Sequence, residues 1–90
     1  MFEYDESKSR GNFEKHGIDF VEAQRLWDDL RYVDTEPFLF NGELRQLFIG
    51  KIRGKCYTAV ITKRDDKIRI ISVRRSRKKE VQDYDEQKHR

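Results

Sequence analysis

The fold class predicted for this 90-residue sequence is α+β: helices packed on an antiparallel sheet of about four strands, closed by a C-terminal helix. Three observations predict it. Early in the chain, Phe20, Ala23, Leu26 and Trp27 recur at helical spacing. From Arg45 to Val73 the period changes to two, and short polar or glycine-containing turns divide the run. Helices grouped ahead of hairpin-linked strands indicate segregated helix and sheet layers, with the helices on one face of the sheet.

Each element has a local reason. Met1–Tyr4 alternates apolar and polar residues and reads as a short edge strand. Asp5 is placed to cap a helix over Glu6–His16, and Gly17 to end it in the left-handed conformation. Gly11 weakens the middle of that helix. Asp19 followed by Glu22 resembles a capping box and opens a second helix that ends at Asp28-Asp29. Tyr32–Phe40 is a weak run interrupted by Pro37, the mark of an edge strand. Arg45–Arg53, Lys55–Lys63 and Ile68–Val73 follow as an antiparallel meander, turning at Gly54 and at Arg64–Lys67. Ser76 is the expected cap of a last helix, about Arg77–Lys88, whose apolar contacts are Val81 and Tyr84. A helix so polar either packs loosely or meets a partner.

Composition bounds the function. No repeat or linker divides the chain, so residues 1–90 are expected to form a single domain. No apolar stretch approaches 18 residues, and Met1–Arg10 lacks an apolar signal core, so neither a membrane span nor a secretory signal is expected. Cys56 is the one cysteine; it excludes an internal disulfide and a cysteine-rich zinc site, fits a reducing cytoplasm, and reads as a packing residue. Residues 1–50 hold 6 Lys/Arg against 11 Asp/Glu, net −5; residues 51–90 hold 14 against 6, net +8. Such asymmetry points either to a nucleic-acid or acidic partner for the second half, or to pairing of the two halves within the fold.

The sharpest chemical feature is Arg74–Lys79, where five of six residues are basic: Arg74, Arg75, Arg77, Lys78 and Lys79. The cluster straddles a strand end and a helix start. Strict alternation puts Ser72 and Arg74 on the face of Ile68 and Ile70, with Arg75 opposite. Arginines beside a helix N-terminus suit a phosphate; a solvated basic turn is the plainer reading. Histidine is a residue type suited to proton transfer, yet at a helix C-terminus His16 also serves simply as a cap. Glu80 is placed either as a general base or as a carboxylate that holds Arg74 or Arg77. Tyr84, one turn on, is either a proton donor, a base-stacking surface or a core anchor. Arg45 is a further candidate cation. Glycine-rich phosphate loops, zinc-ligand patterns and nucleophile elbows are missing from the sequence, and no cofactor or metal is expected.

The order of these pieces resembles the BrnT family of bacterial type II toxins, in the wider RelE/ParE-like group. The residues that carry the resemblance are Phe2–Asp5 with Lys8 and Asn12, Lys15-His16-Gly17, Phe20 with Ala23, and Asp28-Asp29. Further on they are Glu43 with Arg45, Ile49-Gly50, Ile68–Ser72 with Arg74, Lys79-Glu80 and Tyr84. The resemblance implies a small RelE-like toxin that cleaves RNA and is silenced by a co-encoded antitoxin, BrnA, through which alone the complex would touch DNA. It maps Ser72, Arg74, Glu80 and Tyr84 onto the site, with His16 beside them, while Arg75 and Ser76 take no role from it. In such a ribonuclease Arg74 would stabilise charge on the phosphate, Arg77 or Lys78 would hold the RNA backbone, and Glu80 or His16 would be the base. Two other readings stand beside it: a non-catalytic nucleic-acid-binding module, and a ParE-like gyrase inhibitor on the same scaffold.

Overall fold

The structure is a computed structural model and describes residues 1–87. Its elements among those residues are β1 (Phe2–Glu3), α1 (Glu6–His16), α2 (Phe20–Ala23), β2 (Val33–Asp34), β3 (Phe38–Phe40), β4 (Glu43–Ile52), β5 (Lys55–Arg64), β6 (Lys67–Arg75) and α3 (Lys78–Glu86). The architecture is mixed α+β, as expected, but with six strands rather than about four. The sheet runs β1-β6-β5-β4-β2, with β3 also on β4. It is not wholly antiparallel: β1 lies parallel to β6, Phe2 opposite Ile68. Pro37 splits the Tyr32–Phe40 run in two, because it cannot donate to a ladder; β2 and β3 pair with the same edge of β4 on either side of it.

Local chemistry explains the helices. Asp5 accepts from the Lys8 N–H at 3.0 Å and starts α1; Gly17, at φ 78°, ends it. Asp19 accepts from the Glu22 N–H at 2.8 Å and starts α2, which tightens after one turn into a 3-10 segment, Gln24–Asp28. That segment presses against β4 so closely that a Cβ on Gly50 would sit 3.2 Å from the Leu26 carbonyl oxygen. Asn12, buried in α1, ties its helix to β6: its Nδ2 donates to the carbonyls of Ile18 (2.8 Å) and Val73 (2.9 Å), and its Oδ1 accepts from the Val73 N–H.

The helices lie on both faces of the sheet, not on one. On the α1/α2 face, Ile18, Phe20, Ala23 and Leu26 pack on Phe48, Ile52, Ala59, Ile61, Ile70 and Val73. Trp27, half-buried, stacks on Phe48 with ring centres 4.0 Å apart. On the other face α3 lays Tyr84 and Val81 over Val33, Ile49 and Cys56. The sequence pattern missed this because two apolar residues on a polar helix do not say which face they cover. Ser76 is not the cap of α3; Arg77 holds that position, and α3 ends at Glu86. Lys88, the end of the expected helix, lies outside the described residues. No helix among the described residues is long and apolar enough to cross a membrane.

Candidate active site

A bulge in β6 decides which way the basic segment faces. Val60 of β5 pairs with Ser72 but Ile61 pairs with Ile70, so Ile71 has no cross-strand partner. The extra residue reverses the alternation. Ile70 and Val73 both enter the α1/α2 core, and Ser72 and Arg74 turn to the α3 face. The expectation that they share a face with Ile68 and Ile70 is therefore corrected: alternation read along one strand cannot register an unpaired residue.

On the α3 face Arg74 stands opposite Thr58 and reaches the first turn of α3. Its Nη1 and Nη2 donate to Oε1 and Oε2 of Glu80, both at 2.8 Å, and Nη1 also reaches the Arg75 carbonyl at 3.3 Å. Glu80 Oε1 accepts from the Arg77 backbone N–H at 2.7 Å and the Thr58 hydroxyl at 2.9 Å. Ser76 Oγ meets Thr58 Oγ1 at 2.8 Å. Burial by itself pushes the Glu80 carboxyl up, but the Arg74 guanidinium, the Arg77 N–H and the Thr58 hydroxyl outweigh it and hold the group down at about 2. The bond to Glu80 in turn raises Arg74. Among the described residues nothing accepts from Arg74 Nε or from the outer Nη2 proton, and the side chain is 21% exposed. The guanidinium is thus fixed in orientation with one edge open.

The remaining basic residues divide. Arg77 and Lys78 are exposed at the start of α3, and Arg75 is exposed on the opposite face over the Tyr57 ring, 5.7 Å from its centre. No carboxylate of the described residues lies within 4 Å of these three. Lys79 pairs with Asp83 at 2.6 Å. Arg45 is elsewhere: it pairs with Glu43 at 3.3 Å and lies over Phe40. Arg45 is four strand residues from Ile49, the β4 member of the row Ile49–Thr58–Arg74, which is roughly 13 Å along the sheet.

His16 is exposed at the end of α1, on the α1/α2 side. Helix α1 follows β1, which runs parallel to β6, and Asn12 bonds Val73. His16 lies one helical turn beyond Asn12, roughly 5–6 Å along the helix. Ser72 is one pleat behind Arg74 on its face, partly exposed. Tyr84 is buried on α3, where its hydroxyl donates to Asp29 Oδ2 at 2.7 Å. Burial and then Asp29 push that phenol up to about 12. Asp29 also accepts from the backbone N–H groups of Lys51 and Arg31, so it staples α3 to the β4 edge. The geometry thus gathers Arg74, Glu80, Arg77 and Lys78, sets Arg75 on the opposite face of β6 and His16 at the end of α1 on that side, and leaves Arg45 apart. Sequence reasoning missed Thr58 and the contact of Ser76 with it. Only the β5–β6 register brings those hydroxyls to Glu80, and no local pattern announces it.

Among the described residues no group of three or more His, Cys, Asp or Glu is gathered as a metal-ligand set. A family model described as the ribonuclease toxin, BrnT, of type II toxin–antitoxin systems matches residues 4–80, a span that ends on Glu80. No curated protein gives a significant match.

Proposed function

We propose, from the premise that this chain belongs to the BrnT family of type II toxin ribonucleases, that it is a metal-independent endoribonuclease acting at the C-terminal end of β6. The observation that carries the reading is the orientation of Arg74, gripped through two nitrogens by Glu80 while Nε and one Nη2 proton point away from that pair. A phosphodiester presented to this edge receives a preset pair of donors where charge develops as the bond breaks. Arg77 and Lys78, with Arg75 across the strand, hold the RNA backbone electrostatically.

In this reaction the substrate's 2′-oxygen attacks the adjacent phosphorus, the 2′-proton passes to a base, and the 5′-oxygen leaves and takes a proton from solvent. Glu80 is ill suited to be the base, because it is ionised down to about pH 2 and its lone pairs are occupied by four donors. His16, exposed at the end of α1, is the base in this proposal, being the imidazole among the described residues. Tyr84 serves as the anchor of α3 rather than as the acid, since its proton is committed to Asp29. Ser72 and Lys79 line the approach. The toxin works in the cytoplasm, and a BrnA-like protein antitoxin neutralises it.

Incubating the purified protein with RNA in EDTA tests the core of this reading. Cleavage that leaves 2′,3′-cyclic phosphate ends, and that is lost in Arg74→Ala and His16→Ala, is the expected result. Salt-sensitive RNA binding without cleavage would instead favour a non-catalytic binding module. In cells, Arg74→Ala should relieve growth arrest while still binding antitoxin. Pulse labelling after induction should show protein synthesis stopping before DNA synthesis; the reverse order would favour a gyrase inhibitor.

A further inference from the structure

We propose that Thr58 is a positioning residue of this site: its hydroxyl, held between Ser76 and Glu80, sets the carboxylate onto which Arg74 is docked. The inference rests on the reading of Arg74 given above and adds a residue on a different strand to it.

The hydrogen-bond directions follow from simple counting. Ionised Glu80 can only accept, so the single Thr58 proton goes to Oε1 at 2.9 Å. Thr58 must then be the acceptor in its 2.8 Å contact with Ser76, whose hydroxyl donates. Donation therefore converges on Glu80, from Ser76 through Thr58 on one side and from Arg74 on the other. Glu80 Oε1 is held by three donors, from Thr58, Arg74 and the Arg77 backbone, whereas Oε2 is held by Arg74 alone. Oε1 is thus the pivot of the carboxylate, and Thr58 is the donor that reaches it from the sheet. Thr58 is fully buried and β-branched, so its rotamer is stiff, and it stands directly opposite Arg74 in the β5–β6 ladder. The strand that carries the guanidinium and the strand that aims its counter-ion are neighbours, which fixes their relative placement through the ladder itself.

A valine in this place keeps the shape but leaves Oε1 without its third donor and the Ser76 hydroxyl without its acceptor. The carboxylate then turns about its remaining bonds and takes the guanidinium with it. Displacement on that scale lowers a rate by about 10- to 100-fold when the group acts on the reacting phosphate. RNA affinity should hold, because Arg75, Arg77 and Lys78 are untouched.

The test is single-turnover cleavage and equilibrium RNA binding for Thr58→Val, Thr58→Ser, Ser76→Ala and Arg74→Ala, with thermal unfolding and antitoxin binding of each. The expected result is slowed cleavage by Thr58→Val at unchanged RNA affinity and recovery of near wild-type cleavage by Thr58→Ser. Ser76→Ala, at a partly exposed position, should give a smaller loss of the same kind, and it carries the test if Thr58→Val fails to fold. Wild-type cleavage by Thr58→Val or, in that event, by Ser76→Ala, beside an inactive Arg74→Ala, overturns the inference and leaves the site standing. A folded Thr58→Ser that does not recover overturns it as well. If Arg74→Ala cleaves normally, the site reading fails, and the role of Thr58 falls with it.

Discussion

On the face covered by α1 and α2, ten buried apolar residues form a continuous core, with Asn12 and Ser9 tying the helices down at its margin. On the face crossed by α3 only Val33, Ile49, Cys56 and Tyr84 are buried apolar groups among the described residues, and they adjoin the hydrogen-bonded set of Thr58, Glu80 and Arg74. Both faces are made by the same three long strands. The difference is that one side holds the molecule together by area removed from water, which is non-directional. The other holds a few groups in defined directions, which hydrogen bonds do well and apolar contact does not. Stability and orientation are thus assigned to opposite sides of one sheet.

The comparison can be broken from either side. The largest effect is expected from the first face: Leu26→Ala removes a fully buried side chain wedged against β4 and should cost about 2–5 kcal/mol in urea unfolding. RNA cleavage and antitoxin binding should fall together, in proportion to the unfolded fraction. Glu80→Gln should separate them. Its stability loss, about 1–3 kcal/mol, is moderated by the solvent that reaches Arg74, while cleavage drops sharply and antitoxin binding stays. The same variant sharpens the comparison through pH. Glu80 has a folded value near 2 against an ordinary 4.5, so its contribution is complete above about pH 4.5 and disappears as pH falls toward 2. Urea midpoints between pH 5 and 2 should therefore decline less steeply in Glu80→Gln than in the wild type.

Tyr84→Phe is a milder intervention on the same face. Losing the bond to Asp29 should cost about 1 kcal/mol and leave cleavage close to wild type, because α3 keeps its ring contacts. The wild-type phenol ionises near 12 rather than 10, so its contribution is present below pH 10 and is lost between 10 and 12. Absorbance at alkaline pH should accordingly show one tyrosine titrating late, and that component should vanish in the variant. The smallest effect belongs to Arg45→Gln, remote from both the core and the cationic end. Stability should change by less than about 0.5 kcal/mol and the RNA cleavage rate not at all.

How far these features could be read beforehand depends on whether their cause is local. The bounds of α1 were legible because Asp5 and Gly17 are both in the sequence beside the helix they delimit. The β5 and β6 runs were legible for the same reason, being two periodic stretches divided by a polar turn. The parallel seat of β1, the placement of α3 on the far face and the second strand on the β4 edge depend on partners distant in sequence. In the site, the nearness of Glu80 to the basic run suggested its bond with Arg74, six residues away. Thr58 gave no such sign, being 22 residues from Glu80 and ordinary in its own strand. Arg45 shows the converse: a cation that the sequence offered beside the basic run, set by strand direction four residues along β4 from the row that holds Arg74.

The unpaired Ile71 makes the polarity of the protein a matter of parity. Insert one residue between Val60 and Ile61, opposite Ile71, and the ladder closes up evenly. Arg74 and its partner Thr58 would then be driven toward the oily layer beneath α1, and Ala59 and Val73 would be turned to the α3 face. A change of length that a surface loop absorbs without notice would here turn two strands inside out, although every side chain of the proposed site were still encoded.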